Sequence, residues 1–364
     1  MKKIVTIVAA ALIASAAFAQ VNIGAWGRGF FVPGASNGKM GVNTGWGGAP
    51  RVGVSLSGSS ENVGFAFDIK ADGGTVALND NAYIWVKPFS FIKLSVGQMF
   101  DDTLRGNACF GLWNWERTGN TIGEDEVFRR VCENPVEVGD CWNPLHGAIV
   151  SLTPVEGLYI TAGFRTGYGE GEVAENVFKK LQVQAGYTVA NIVQIKAQWI
   201  GYKDAKNDAQ GLINAAVGLK AVENLTLDVG AFFRTEEKKD VDVALFVGYT
   251  GVENLGINAV AKLTFGTDDT NKVVYNFGVG ADYNFGNGIA VTGDVRFNGQ
   301  DYKNIADDAK KMGIGFLVAV EKGFSNGKIG VGVEGGSRTT IKNITQEKAD
   351  DFQFAVPIKV EFGF

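Results

Sequence analysis

Seven apolar residues at the end of the chain alternate strictly with six others. Phe352, Phe354, Val356, Ile358, Val360, Phe362 and Phe364 hold every second position, and Gln353, Ala355, Pro357, Lys359, Glu361 and Gly363 fill the gaps. A period of two makes a strand with one apolar face and one polar or small face. The chain then stops on a phenylalanine. An exposed terminal aromatic brings a soluble domain little, whereas a membrane barrel gains a closing strand whose apolar face meets lipid.

The other end points the same way. Lys2 and Lys3 precede an apolar run from Ile4 to Phe18, broken only by Thr6 and Ser15, and Ala17-Phe18-Ala19 has the A-x-A form of a cleavage site. The run is short for a membrane span, and residues 1–19 read as a secretory signal peptide. The expected mature chain is 20–364, a single domain, since cutting 19 of 364 residues leaves 345. Without Lys2 and Lys3 the 34 basic residues become 32, against 39 acidic ones, a formal charge of −7. That balance argues against a general nucleic-acid binder, which needs a positive footprint. No later segment approaches the roughly 18 continuous apolar residues of a transmembrane helix.

Glycine (50) and phenylalanine (25) are overused and proline (7) is scarce. Many glycines with few prolines suit strands that curve, bulge and pack closely around a barrel. A barrel also accommodates this length, because it grows by adding strands rather than by thickening a core. Period-two runs number 18, from 21–31 through 63–70 and 76–87 to 352–364. Their connections alternate between short and long without exception, as do the periplasmic turns and external loops of outer-membrane barrels. The short connections share chemistry: Val222-Glu223-Asn224-Leu225 and Val252-Glu253-Asn254-Leu255 are near copies, and Asn287-Gly288 and Asn326-Gly327 are hairpin signals. The expected fold is all-β, a transmembrane antiparallel β-barrel of about 18 strands, or 16 if two early runs are not strands.

The strands have two faces. Val193, Ile195, Ala197 and Trp199 alternate with Gln194, Lys196 and Gln198; Leu225, Leu227, Val229, Ala231 and Phe233 oppose Thr226, Asp228 and Arg234. In a membrane barrel the apolar set faces lipid and the polar set lines the lumen. Tyr249, Phe265, Tyr283, Phe285 and Phe297 near strand ends suit aromatic girdles at the two interfaces. The lumen set then carries both signs: Lys196, Lys220, Arg234, Lys262, Arg296 and Lys359 against Asp228, Asp242, Asp282, Asp294, Glu321 and Glu361. An 18-strand barrel is too wide for side chains to fill, so an aqueous lumen is expected.

The longest connection, 101–146, follows the fifth strand. A loop of this length is usually functional or disordered, and Phe110, Trp113, Trp115 and Trp142 argue against disorder. It also holds Asp101, Asp102, Arg105, Arg117, Glu124, Asp125, Glu126, Arg129 and Arg130. All three cysteines are here. Cys132 and Cys141, with eight residues between them, are the first disulfide candidate, and pairings of Cys109 with either remain open. No CxxC spacing appears and His146 is the only histidine, so neither a metal site nor a histidine-based hydrolase is expected. No cofactor motif stands in a strand-to-helix context.

The whole mature chain resembles a Gram-negative porin. The end 352–364 is similar to the C-terminal assembly signal of outer-membrane barrels, Phe362 and Phe364 included. Leu94-Ser95-Val96-Gly97-Gln98 resembles the strand leading into the third external loop. In trimeric porins that loop folds into the pore and sets its width with opposed acids and arginines. The resemblance implies that loop 101–146 constricts the pore, with an external cap on the rim as the alternative. It also implies assembly machinery as a partner, outer-membrane lipid as surroundings and a homotrimer. The count of 18 points to substrate-specific porins rather than 16-strand general ones, and the Gly- and Phe-rich style is similar to spirochaetal barrels. Trp113 and Trp115 could stack sugar rings. The expected function is passive diffusion of small hydrophilic solutes and ions; the competing one is a surface adhesin built on a barrel.

Overall fold

A computed structural model describes residues 20–43, 50–105, 131, 145–165, 177–190, 192–203, 208–236, 240–266, 271–310, 312–338, 340–341, 345–348 and 350–364. The proposed signal peptide, 1–19, lies outside them. Eighteen antiparallel strands close into one barrel. They are β1 Gln20–Val32, β2 Arg51–Ser59, β3 Val63–Asp72, β4 Thr75–Phe89, β5 Ile92–Met99 and β6 Leu145–Leu152. β7 Leu158–Arg165, β8 Leu181–Val189, β9 Val193–Lys203, β10 Ala209–Leu219, β11 Leu225–Arg234 and β12 Val241–Val252 follow. The wall is completed by β13 Leu255–Phe265, β14 Val273–Gly286, β15 Ile289–Asp301, β16 Gly313–Phe324, β17 Gly327–Ser337 and β18 Ile358–Gly363.

Each strand pairs with its sequence neighbour, and β1 closes the wall by pairing with β2 on one side and β18 on the other. At the seam Trp26 stands opposite Gly363 and Phe31 opposite Ile358, and Ala25 and Phe364 exchange backbone hydrogen bonds of 2.7 and 2.9 Å. Closure leaves no backbone edge for lipid to meet. Gly27 faces outward beneath the Phe362 ring, where a Cβ would fall 2.3 Å from a ring carbon, so any larger residue there would require the closing aromatic to shift.

Directly opposed residues share a face, so one phase runs around the whole wall. The outer phase is apolar and exposed: Ile23, Ile84, Val150, Ile195, Val279 and Val360 are examples from six strands. A water-soluble protein does not present such a continuous apolar surface, whereas a lipid-facing barrel must. Exposed aromatics mark both rims. Phe89, Tyr249, Tyr283, Phe285, Phe324 and Phe364 lie toward the short-turn end; Phe31, Phe164, Phe233, Phe265 and Phe354 lie toward the long-loop end. The inner phase is polar and buried, including Gln184, Lys196, Asn214, Asp294, Glu334 and Lys359.

Three expectations are corrected. The short–long alternation has one exception: on the long-loop side β3 and β4 are joined only by Gly73-Gly74, with φ of 58° and 89° and Asp72 opposite Thr75. Two positive-φ glycines make a tight hairpin turn where the sequence suggested a longer break. The last strand is not continuous. Gln353–Ala355 pairs with β17 and β18 resumes at Ile358, because Pro357 has no N–H for the ladder and the Val356 N–H goes to the Gly34 carbonyl at 3.2 Å. Of the two Asn-Gly signals, Asn287-Gly288 forms its turn with both φ positive, but the other turn is Ser325-Asn326, between paired Phe324 and Gly327.

Candidate functional site

The connection after β5 begins at the inner wall. Asp101 and Val131 exchange backbone hydrogen bonds of 3.0 and 2.9 Å, so the chain returns to its own start thirty residues later. Val131 is fully buried with Met99 and the inward Ile149. The Asp101 carboxylate is held from three sides. Oδ2 accepts from the Thr161 hydroxyl at 2.8 Å and from the Tyr159 hydroxyl, and Oδ1 accepts the Thr103 N–H at 2.9 Å. Ser151 joins the cluster, 3.1 Å from the Thr161 hydroxyl and 3.2 Å from that of Tyr159.

Three residues on, Leu104 is buried against Ala216 of β10 and Tyr159 of β7. It sits over Gly186 of β8, where a Cβ would be 2.6 Å from Leu104 Cδ2, and its carbonyl accepts from Lys196 Nζ of β9 at 3.1 Å. Those groups all face inward, and β10 is five strands from β5 around the wall. A chain that leaves β5 and reaches them runs through the interior, so this stretch of the connection does not lie on the rim. Asp101→Ala should loosen this anchor at a cost of about 1.5–3 kcal/mol, the range for hydrogen bonds to a charged group. Single-channel recordings should then show added current noise and substates, with Asp101→Asn intermediate; traces matching the parent would discount the anchor.

A second connection is tied inward. Arg165, on the inner face of β7, donates through Nη2 to the carbonyls of Lys179 (3.0 Å) and Gly201 (2.8 Å). This fixes the short helix Val177–Lys180 beside β9.

Of the expected constriction residues, Asp101, Asp102 and Arg105 belong to the inward stretch. Arg117, Glu124, Asp125, Glu126, Arg129 and Arg130 lie outside the described residues, as do Phe110, Trp113, Trp115, Trp142, Cys109, Cys132 and Cys141. The expected lumen residues Lys196, Asp228, Arg234, Asp242, Lys262, Asp282, Asp294, Arg296, Lys359 and Glu361 belong to the inner phase of their strands. Lys220 does not: it is exposed in the turn after β10, its N–H on the Ile192 carbonyl. Phe362 and Phe364 stack at the outer face of the seam, ring centroids 5.6 Å apart.

The inner charges are largely paired. Lys262 lies 3.5 Å from Asp242, and Arg296 lies 3.7 Å from Asp294. Thr292 donates to Asp282 at 2.5 Å. Beside the seam, Lys359 binds Glu321 directly; Lys328 lies 3.4 Å from Glu321, and both lysines lie 3.7 Å from Glu361. Placing charges of both signs side by side lowers the cost of burying them on the inner face. The alternation missed the apolar inner patches. Ile200, Tyr202, Leu212, Phe232 and Ala244 form one cluster on β9–β12, and Phe30, Leu317 and Ala319 another. Ile200 and Tyr202 follow the polar Lys196 and Gln198 in the same phase, and that switch within β9 was the available signal.

No protein-family model and no curated protein sequence matches the chain. Solved structures do. OccD3 (OpdP) of Pseudomonas aeruginosa superposes with a TM-score of 0.58 at 11% identity, covering 94% of this chain and 91% of that one. The trimer form of OmpT, an outer membrane protein of Vibrio cholerae, gives 0.52 at 12%, covering 95% and 100%. An anion-selective porin from Comamonas acidovorans gives 0.50 at 11%, covering 95% and 100%. At these identities the likeness is one of fold. The chain has the outer-membrane porin fold, a closed 18-strand β-barrel.

Proposed function

We propose that the barrel is a water-filled channel for passive diffusion of small hydrophilic solutes and ions across an outer membrane. The observation that carries this is the inversion of the wall, apolar outside and polar with both charge signs inside. The short turns then face the periplasm and the longer connections the exterior, with residues 1–19 as the export signal and outer-membrane lipid around the apolar belt. The connection after β5 narrows the passage, Asp101, Asp102 and Arg105 at its entry and the charged residues from Arg117 to Arg130 along it. The inward path of Asp101 to Leu104 supports this role over a rim cap. Phe362 and Phe364 serve as the assembly signal read by the barrel-insertion machinery, and a homotrimer is the assembly that fits this fold. Neither an enzymatic activity nor a cofactor is part of the proposal.

A barrel adhesin is the competing function. Reconstitution in a planar bilayer separates the two: stepwise conductance is expected, and its absence would favour the adhesin. Mixed lumen charge and a mature net charge of −7 predict weak ion selectivity, slightly toward cations. A reversal potential showing strong anion preference would contradict this.

A further inference from the structure

We propose that Lys87 and Lys93, with Trp85, form an oxyanion-binding site at the short-turn mouth of the lumen. Val86 stands opposite Leu94 in the β4–β5 pair. Lys87 and Lys93 follow toward the turn, where the ladder shifts register before Phe89 pairs with Ile92, and their common contact with the Trp85 ring brings the two ammonium groups near each other. Like charges held close together repel. Among the described residues no carboxylate stands within ion-pair distance of either ammonium. Instead each lies 5.4 Å from the same Trp85 ring centroid. One indole shared by two cations is partial compensation only.

Both lysines line a cavity of about 400 Å³. Its walls carry the hydroxyls of Ser95, Ser151, Thr153 and Tyr159, and the start of the inward connection closes its far side with Asp101 and Asp102. Asp101 is already engaged by Tyr159, Thr161 and Thr103. That leaves the two ammonium groups, close together, and the Asp102 carboxylate as the charges on the cavity wall without a hydrogen bond described above. A carboxylate or phosphate group of a small solute seated between Lys87 and Lys93 would accept from both and remove their repulsion. Trp85 would then offer its ring face to the rest of the solute.

The inference rests on the channel reading for access in the membrane, but the site can be measured without it. Calorimetry on the folded, detergent-solubilised barrel, with inorganic phosphate and separately with acetate, reads binding alone. Bilayer recordings with phosphate on the short-turn side read access. The parent should bind phosphate or acetate at least about tenfold more tightly than the double variant Lys87→Gln, Lys93→Gln. The double variant Lys87→Arg, Lys93→Arg should retain binding. Whichever ion binds better identifies the oxyanion source, and either supports the site. Equal affinity in the parent and the Gln variant, or no binding of either ion by the parent, overturns it. A barrel that binds the ion but passes no current supports the site and overturns the channel. The heat-modifiable gel shift of each variant checks that it has folded.

Discussion

Gly147→Val is expected to prevent formation of the folded barrel, or to leave only a small fraction folded. Gly147 of β6 stands opposite Gly97 of β5 at the base of the inward connection. A Cβ at 147 would lie 2.0 Å from the Phe164 carbonyl oxygen and 3.1 Å from Arg165 Cα. A Cβ at 97 would meet the Ala82 carbonyl at 2.3 Å and Tyr83 Cα at 2.6 Å, and Gly97 also has φ +136°. These neighbours are backbone, so no side chain can swing aside. Overpacking that neighbours absorb costs about 1–3 kcal/mol. Here the cost falls at or above that range, and Gly97→Ala adds about 1–3 kcal/mol of backbone strain. Gly293→Ala is the control, because its Cβ would meet only ordinary contacts at 3.7 and 3.8 Å. Urea unfolding and the unheated gel mobility should show the control within about 0.5 kcal/mol of the parent. Parent-like stability of Gly147→Val would show that β5 and β6 do not depend on this close approach.

Deleting about residues 106–140 should raise single-channel conductance several-fold. An 18-strand wall encloses more room than its own side chains fill. Yet the inward Gln182, Gln184, Lys196, Gln198 and Asn214 are all buried, and Leu104 is part of what covers that wall. Opening the passage should wet these residues and widen the conducting path. The deletion removes Val131 and its two backbone hydrogen bonds to Asp101 but retains the Asp101 carboxylate contacts to Tyr159 and Thr161, which should hold the remaining stub. Conductance equal to the parent's would reject the constriction role and leave the barrel itself as the limiting element.

Most of the wall was legible in the sequence. A strand with one lipid face and one aqueous face must alternate, so 18 runs could be counted, and those such as 181–189 and 225–234 coincide with β8 and β11. What escaped were places where local chemistry overrides alternation. Gly73-Gly74 closes a turn in two residues, Pro357 breaks a ladder, and Lys220 falls just past the end of its strand. The apolar inner patch around Ile200 and Phe232 escaped because an inward apolar residue keeps the period of two while changing the character of the face.

The terminal alternation by itself determined a strand with one apolar and one polar face, since its period is a property of backbone geometry that sequence displays directly; that the apolar face is the outer one was decided by closure of the wall. The interior was decided by tertiary structure alone. Asp101 meets Thr161 and Leu104 meets Ala216 only once the wall has curved shut. Closure turns strands distant in sequence into facing surfaces, and no periodicity records which residues will look at one another across a lumen.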